Sequence, residues 1–449
     1  MRDTRVVHRP AAACGPALHL RFLALLLLSL SPTGAALATP PPPVVQARLA
    51  LDHLGQTAID WQNTFGCSGC HKQPVTLAAY AAAAAGGHDA PKPGVVDALI
   101  TGTLSGSSGQ GADGCFSFGG TASFTTATTV AGRGLEATDR YLRHALGASL
   151  QAAADCIRAR QAANGSLPAD RSENPVAQGD FATTAHGIYV WNRTYERTAV
   201  AAYHDAAASA AAWLRGRISA IEAAPSTFTT QDKTMLLAGL GAMGAGTSDP
   251  DVARMRTLLA ASQLPDGSWK IQSANAAGNG YATGLGVYAL RAAGVDRGDP
   301  VLEAGRAWLL SHQQPDGSWT ANDWVGGTPS AVAPSMWAAL ALASFPSPLA
   351  TLRLTGSAIT WSAVEGAENY DVVRGSVSAL TESAGAASLG PLSCLAAAVP
   401  DLQATDAAVP APGQAFFYVF RIRRTNAHDI YGRTSGGHDR TPGSGDCPQ

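Results

Sequence analysis

The segment Gln263-Leu264-Pro265-Asp266-Gly267-Ser268-Trp269 recurs as Gln313-Gln314-Pro315-Asp316-Gly317-Ser318-Trp319. Weaker copies keep a Gln and a Gly four residues apart, at Gln161…Asn164-Gly165-Ser166-Leu167 and at Gln110…Asp113-Gly114-Cys115-Phe116. A further copy begins at Gln62, with Gly66 four residues on. Successive starts are 48, 51, 102 and 50 residues apart, so one degenerate unit is expected near residue 212. Self-similarity at this period predicts a helical array in which neighbouring units bury one another's faces.

Each unit reads as two helices. An amphipathic one precedes the Gln, as in Leu302 to His312, with Leu302, Gly305 and Leu309 on one face. A helix apolar nearly all round follows the turn, as in Ser335 to Phe345, and must be covered on every side. The economical arrangement is an outer ring of amphipathic helices around an inner ring of apolar ones. Six pairs are expected: 44–61 with 74–86, 93–103 with 122–136, 146–162 with 180–193, 197–222 with 229–245, 250–262 with 279–293, and 299–312 with 334–345. Alanine blocks such as Ala81 to Ala85 favour helix and exclude an all-β protein for most of the chain. A formal charge of −2 argues against a nucleic-acid binder, which needs a basic excess.

The Gln-x-Pro-Asp-Gly-Ser-Trp copies resemble the repeats of squalene and hopene cyclases and related prenyltransferase-type proteins. The resemblance covers about residues 44–345 and implies a mainly α protein, an (α/α)6 toroid of outer and inner helices. In that reading the turn Gln and Trp are structural, the Gln bonding helix-end groups and the Trp stacking between units. The Asp-x-Asp-Asp acid with which the family protonates alkenes is absent, as are the prenyltransferase zinc ligands and a thioester motif. Asp180, Asp232 and Asp323 lie near starts of inner helices and read as caps or turn residues.

Within the first unit, Cys67-Ser68-Gly69-Cys70-His71 matches the c-type haem attachment sequence. Two thiols add to the two vinyl groups and the adjacent His reaches iron, so the spacing suits one covalent haem c. The resemblance to c-type cytochromes is confined to this motif. A Cys67–Cys70 disulfide or a zinc site with Cys67, Cys70 and His71 are the alternatives. Overlaying Thr184-Ala185-His186-Gly187-Ile188-Tyr189 on Thr283-Gly284-Leu285-Gly286-Val287-Tyr288 makes His186 a candidate sixth iron ligand, with Met336 and Met235 as alternatives. For all three, ordinary packing competes with ligation.

Arg2, Arg5, Arg9 and Arg21 precede an apolar run from Phe22 to Leu30, and Ala36-Leu37-Ala38 supplies small residues for cleavage. Residues 1–38 therefore read as a secretion signal, which implies a periplasmic or extracellular protein with no membrane span after its removal. In an oxidising compartment Cys115 and Cys156, brought together by neighbouring units, are expected to pair. Packed thiols or a metal ligand are the alternatives. Cys394 and Cys447 are expected to pair and tie down the tail.

Residues 39–345 form the helical region and 346–349 a linker. From about 350 to 449 the apolar period becomes two. There Trp361, in Thr-Trp-Ser-Ala-Val-Glu-Gly-Ala-Glu-Asn-Tyr, resembles the second strand and following turn of fibronectin type III domains. The resemblance implies a small all-β sandwich with Trp361 in its core. Three functions are compatible with these residues. One is a haem-bearing toroid that transfers electrons to a redox partner protein or oxidises an apolar small molecule. Another is a non-catalytic binding or surface-scaffold protein whose CxxCH is structural. The third is a degenerate squalene or terpenoid cyclase-like protein.

Overall fold

A glutamine amide carries two N–H groups, and in four turns of the chain both are used to join neighbouring helix pairs. Gln110 donates to the Gly114 and Ser149 carbonyls at 2.9 and 2.8 Å, and Gln161 to Gly165 and Ala206, both at 2.9 Å. Gln263 donates to Gly267 and Val301, both at 2.9 Å, and Gln313 to Gly317 and Gln46 at 3.1 and 2.8 Å. One acceptor is always in the same turn and the other in the next unit's outer helix. The last of these bonds returns to the first helix and closes a ring.

The computed structural model describes residues 43–66, 72–88, 94–105, 108–117, 123–142, 145–170, 179–320, 332–345, 352–361, 367–383, 386–424, 427–428, 431–432 and 440–448. The outer helices are α1 (Pro43–Phe65), α3 (Val95–Leu104), α5 (Gly147–Arg158), α7 (Ala201–Arg215) with the short α8 (Ile218–Ala223), α10 (Pro250–Ser262) and α12 (Pro300–Ser311). The inner helices are α2 (Lys72–Ala85), α4 (Thr125–Ala137), α6 (Gly179–Thr198), α9 (Thr230–Ala242), α11 (Gly280–Ala292) and α13 (Val332–Ala343). Each inner helix packs on the next, and α13 packs back on α2. Only Leu302, Gly305 and Leu309 of α12 are buried, whereas α13 is buried along nearly its whole length. The amphipathic and all-apolar helices thus take the outer and inner places expected from their patterns. Among the described residues no helix is long and apolar enough to cross a membrane.

The turns repeat at atomic detail. The Asp266 carboxylate accepts from the Ser268 N–H and hydroxyl at 3.0 and 2.6 Å, an Asx turn that Asp316 and Asn164 repeat. The Trp269 indole donates to the Leu259 carbonyl at 2.8 Å. Its ring lies over Gly286 of α11 and Gly305 of α12, where an added Cβ would meet ring carbons at 2.9 and 2.6 Å. The Trp269 N–H donates to the Thr283 hydroxyl, and Phe116, Leu167 and Trp319 bond Thr128, Thr184 and Ser335 in the same way. That shared register supports the overlay of α6 on α11.

Two joints differ. Gln62 lies inside α1 and its amide presses on Gly102 of α3. In the degenerate fourth unit the expected long outer helix breaks into α7 and α8 at Gly216, and Arg215 takes over the joining role. It bonds Asp249, the N-cap of α10, and Asp251, each at 2.6 Å. Asp232 forms a capping box with Thr229, and Asp180 accepts from the Ala169 N–H at 2.8 Å, so both act as cap or turn residues. Asp323 lies outside the described residues.

Cys115 pairs with Cys156, tying the second turn to α5, and Cys394 pairs with Cys447. Short strands β1 (Phe116–Ser117) and β2 (Ser123–Phe124) pair within the second unit. Beyond the helices lie β3 (Leu352–Thr355), β4 (Ala358–Trp361), β5 (Asn369–Ser376), β6 (Thr381–Ser383), β7 (Ala386–Ser388), β8 (Leu392–Val399), β9 (Gln403–Thr405), β10 (Phe416–Arg424), β11 (Ala427–His428) and β12 (Arg440–Thr441). They form sheets ordered β11-β10-β5-β8, β3-β4-β9 and β12-β7-β6. Ile359 and Trp361 of β4 pack with Tyr370 and Val372 of β5 and Ile422 of β10.

Gly317 has φ +86°, and a Cβ there would sit 2.1 Å from the Leu49 carbonyl oxygen of α1. Gly244 has φ +81° with open space around it. Gly244→Ala should therefore cost only the left-handed strain, about 1–2 kcal/mol. Gly317→Ala should cost clearly more, because it also forces the closing joint apart. Urea denaturation compares the two, and equal losses would refute this account of ring closure.

Candidate functional site

Six helices apolar on all sides leave little room where they meet. The space at the ring centre is about 10 Å3, at most one water, and is lined from all six inner helices. Among the described residues its titratable lining is Arg133, His186, Tyr189 and Tyr288, with no carboxylic acid. His186 is 3% exposed, and neither ring nitrogen has a hydrogen-bond partner among the described residues. Burial, reinforced by the Arg133 charge, lowers its pKa to about 3, so it is neutral at physiological pH. The Trp337 ring lies beside it, centroids 6.4 Å apart.

At the C-terminal ends of the inner helices the ring opens into a funnel of about 490 Å3. Its floor is a polar layer. The Arg133 guanidinium lies 4.0 Å from the centroid of the Tyr189 ring and donates to the Tyr288 oxygen at 2.8 Å. The Tyr288 hydroxyl donates to Tyr189 at 3.2 Å, and the Tyr189 hydroxyl donates to the Ala238 carbonyl at 3.2 Å. This chain of donors separates the apolar centre from the funnel.

The funnel's carboxylates are already engaged. Glu136, 2% exposed, accepts from Arg133 at 2.5 Å and Arg140 at 2.8 Å. Glu196 bonds Arg140 at 2.8 Å and Arg193 at 3.0 Å. A π-helical turn, Thr138–Leu142, follows α4 and places Asp139 against Arg193 at 2.8 Å and the Leu146 N–H at 3.2 Å. Carboxylates held this way are poor general acids and bases. Arg291 of α11 is different. One of its terminal nitrogens donates to the Val295 carbonyl at 2.9 Å, while its Nε is buried without a partner among the described residues. Burial first, then the charge of Arg297, lowers its pKa, so an anion beside it would be stabilising.

The structure distributes the residues singled out in the sequence as follows. Cys67, Cys70 and His71 lie outside the described residues, between the end of α1 and the start of α2. His186 and Met235 both line the closed centre; Met336 is fully buried and does not line it. Among the described residues no group of three or more His, Cys, Asp or Glu side chains is placed to hold a metal ion. The funnel was not anticipated. Its signal was present as charges at Arg133, Glu136, Asp139, Arg140 and Arg291, inside helices otherwise nearly free of charge.

Residues 218–347 match the family model of the squalene-hopene cyclase C-terminal domain. No curated protein matches the chain. Among solved structures it is similar to a polysaccharide lyase at 15% identity, over 66% of this chain and 96% of that one, with a TM-score of 0.45. It is also similar to ent-copalyl diphosphate synthase from Streptomyces platensis at 17% identity, over 63% of this chain and 53% of that one, with a TM-score of 0.43. A type II terpene cyclase from Scytonema is 13% identical, over 68% of this chain and 98% of that one, with a TM-score of 0.43.

A histidine whose pKa is about 6.5 unfolded and about 3 folded favours the folded state above pH 6.5 and loses that contribution as pH falls toward 3. Stability should drop by up to about 1.4 kcal/mol per pH unit across this window on account of His186. His186→Leu, the residue found at the equivalent position 285, should flatten the dependence. Urea titrations at pH 7.5 and 5 measure it, and an unchanged slope would show that His186 is not the group responsible.

Proposed function

We propose that this chain is a terpenoid-cyclase-like toroid that no longer cyclises polyenes and instead binds a small anionic molecule in its funnel. The carrying observation is the division of space: about 10 Å3 at a centre that no described carboxylate lines, against about 490 Å3 in a funnel lined by Arg291, which makes no ion pair among the described residues. A polyene must be enclosed whole and protonated by a strong acid, and the described residues at the centre offer neither the room nor the acid. A funnel of this size suits a drug-sized metabolite, with a carboxylate or phosphate toward Arg291 and hydroxyl or apolar groups against Tyr288 and Tyr189. The two disulfides support an oxidising, exported setting.

Citrate should raise the thermal midpoint of the purified protein where glycerol does not, and Arg291→Gln should weaken citrate binding at least tenfold by calorimetry. Arg374→Gln, in β5, should leave it unchanged. Conversion of squalene by the protein, or citrate binding indifferent to Arg291, would overturn this reading.

A second reading, covalent haem c at Cys67, Cys70 and His71, has its own support. Four of the six cysteines that follow the leader are committed to the two disulfides, which leaves Cys67 and Cys70 for each other or for a haem. Phe65, 58% exposed, and Trp61 lie with ring centroids 4.1 Å apart and planes tilted by 37°, close in sequence to the motif, and would offer a porphyrin an aromatic neighbour. When bound, the haem would supply one-electron chemistry, and the protein would exchange electrons with a redox partner. His186 and Met235, two of the candidate sixth ligands, line the closed centre of about 10 Å3. The C-terminal sheets, with Trp361 between them, fit a fibronectin type III-like docking module.

Protein made with haem-maturation machinery should carry a Soret band that survives acid–acetone extraction and a mass of one haem above the polypeptide. Cys70→Ala should weaken the attachment to extraction. A colourless product of polypeptide mass would end this second reading.

A further inference from the structure

The chain contains only four lysines, Lys72, Lys92, Lys233 and Lys270, and two of them line one pocket. This pocket, about 370 Å3, lies at the opposite end of α9 from the funnel, between α9, α10 and the segment 270–273. The Thr230 hydroxyl donates to the Lys270 carbonyl at 2.5 Å and its N–H to the Ile271 carbonyl at 2.9 Å, fixing one wall against the first turn of α9. Phe228, Leu258 and Ile271 make much of the remainder apolar.

Lys233 lines this pocket and is 6% exposed. Among the described residues no hydrogen bond or ion pair holds its ammonium. The neighbouring Asp232 carboxylate is engaged with the Thr229 N–H and hydroxyl at 2.9 and 2.8 Å. Burial lowers the Lys233 pKa, and Asp232 only partly opposes it. Lysines are normally solvated or paired, so a lysine buried to this degree and facing an open pocket stands apart. Lys72, by comparison, lies against the Trp61 ring, 3.6 Å from its centroid.

We propose that Lys233 is a nucleophilic amine that forms a Schiff base with an anionic aldehyde or ketone in this pocket, Lys270 receiving the ligand's anionic group. The neutral amine attacks the carbonyl carbon. The carbonyl oxygen takes up the two protons lost from nitrogen and leaves as water, and a C=N bond forms. No third species gains or loses electrons. The site is separate from the funnel and does not depend on the function proposed for it.

Pyridoxal 5′-phosphate is a suitable probe, because it carries an aldehyde and a phosphate. The full mature protein is incubated with a substoichiometric amount at pH 7, reduced with borohydride, digested and mapped by mass spectrometry. The candidate amines are the four lysines and the amino terminus. Lys233 should carry at least tenfold more label than Lys72 or Lys270, and Lys233→Arg should abolish that label. Lys270→Gln should reduce labelling by pyridoxal 5′-phosphate several-fold but leave labelling by pyridoxal, which lacks the phosphate, unchanged. Label spread evenly over the lysines of the unmodified protein would overturn the proposal without recourse to any variant. Equal loss of both probes on Lys270→Gln would overturn the role given to Lys270.

Discussion

The bond from the Gln313 amide to the Gln46 carbonyl, paired with that from Gln46 to the Leu310 carbonyl, holds the last unit to the first. An open array of helix pairs would leave α2 and α13, both apolar on every side, with one face in water. Closure gives each of them two inner neighbours and removes that exposure. Each such hydrogen bond contributes only about 1 kcal/mol. Their importance is in register: they fix which turn of one outer helix meets which turn of the next, and so align the inner helices.

Alignment at this precision lets the inner helices approach closely. A Cβ on Gly134 of α4 would sit 2.6 Å from the Cα of Pro74 in α2, and one on Gly284 of α11 would sit 2.5 Å from the Ala338 nitrogen of α13. Backbones at this distance draw the ring inward, and large side chains such as Trp337 fill what is left. The absent chamber therefore follows from the same small residues that pack the ring. It is also why the buried carboxylates of the ring, among the described residues, collect at one end, where Glu136 and Asp139 can each reach an arginine. Leaving either carboxylate unpaired would be costly in so dry a place.

Much of the ring was legible because its signal is redundant. Gln263, Asp266, Gly267 and Trp269 each have a separate geometric task, so their joint recurrence at Gln313, Asp316, Gly317 and Trp319 left few folds open. The pairing of Cys115 with Cys156 followed from the same period. The break at Gly216 was not legible, because Arg215 stands in for the glutamine bridge with an ion pair to Asp249, whereas the comparable pair of Arg256 with Asp299, the N-cap of α12, accompanies the Gln263 bridge and does not replace it. Nor was the closed centre, since cavity size depends on how closely the helices approach as well as on the side chains between them, and that separation is not written in any one helix. The structure places His186, overlaid on Leu285 in sequence, on α6 at the closed centre. Its burial without a partner became visible only when Arg133 and Tyr288 were in place above it.

The closed centre also divides the ring into two ends that cannot share a ligand. The described turns and the Lys233 pocket belong to the N-terminal ends of the inner helices, and the Arg291 funnel to their C-terminal ends. In a hollow toroid one substrate can touch residues at both ends. Here the Arg133–Tyr288–Tyr189 layer and the packed core beneath it lie between them. Any coupling between the ends must therefore pass through the helices themselves. The most direct route is α9, which carries Lys233 at one end, Met235 and Ala238 at the centre and Gly241 and Ala242 at the funnel. A rotation of this helix would move the centre and the funnel together.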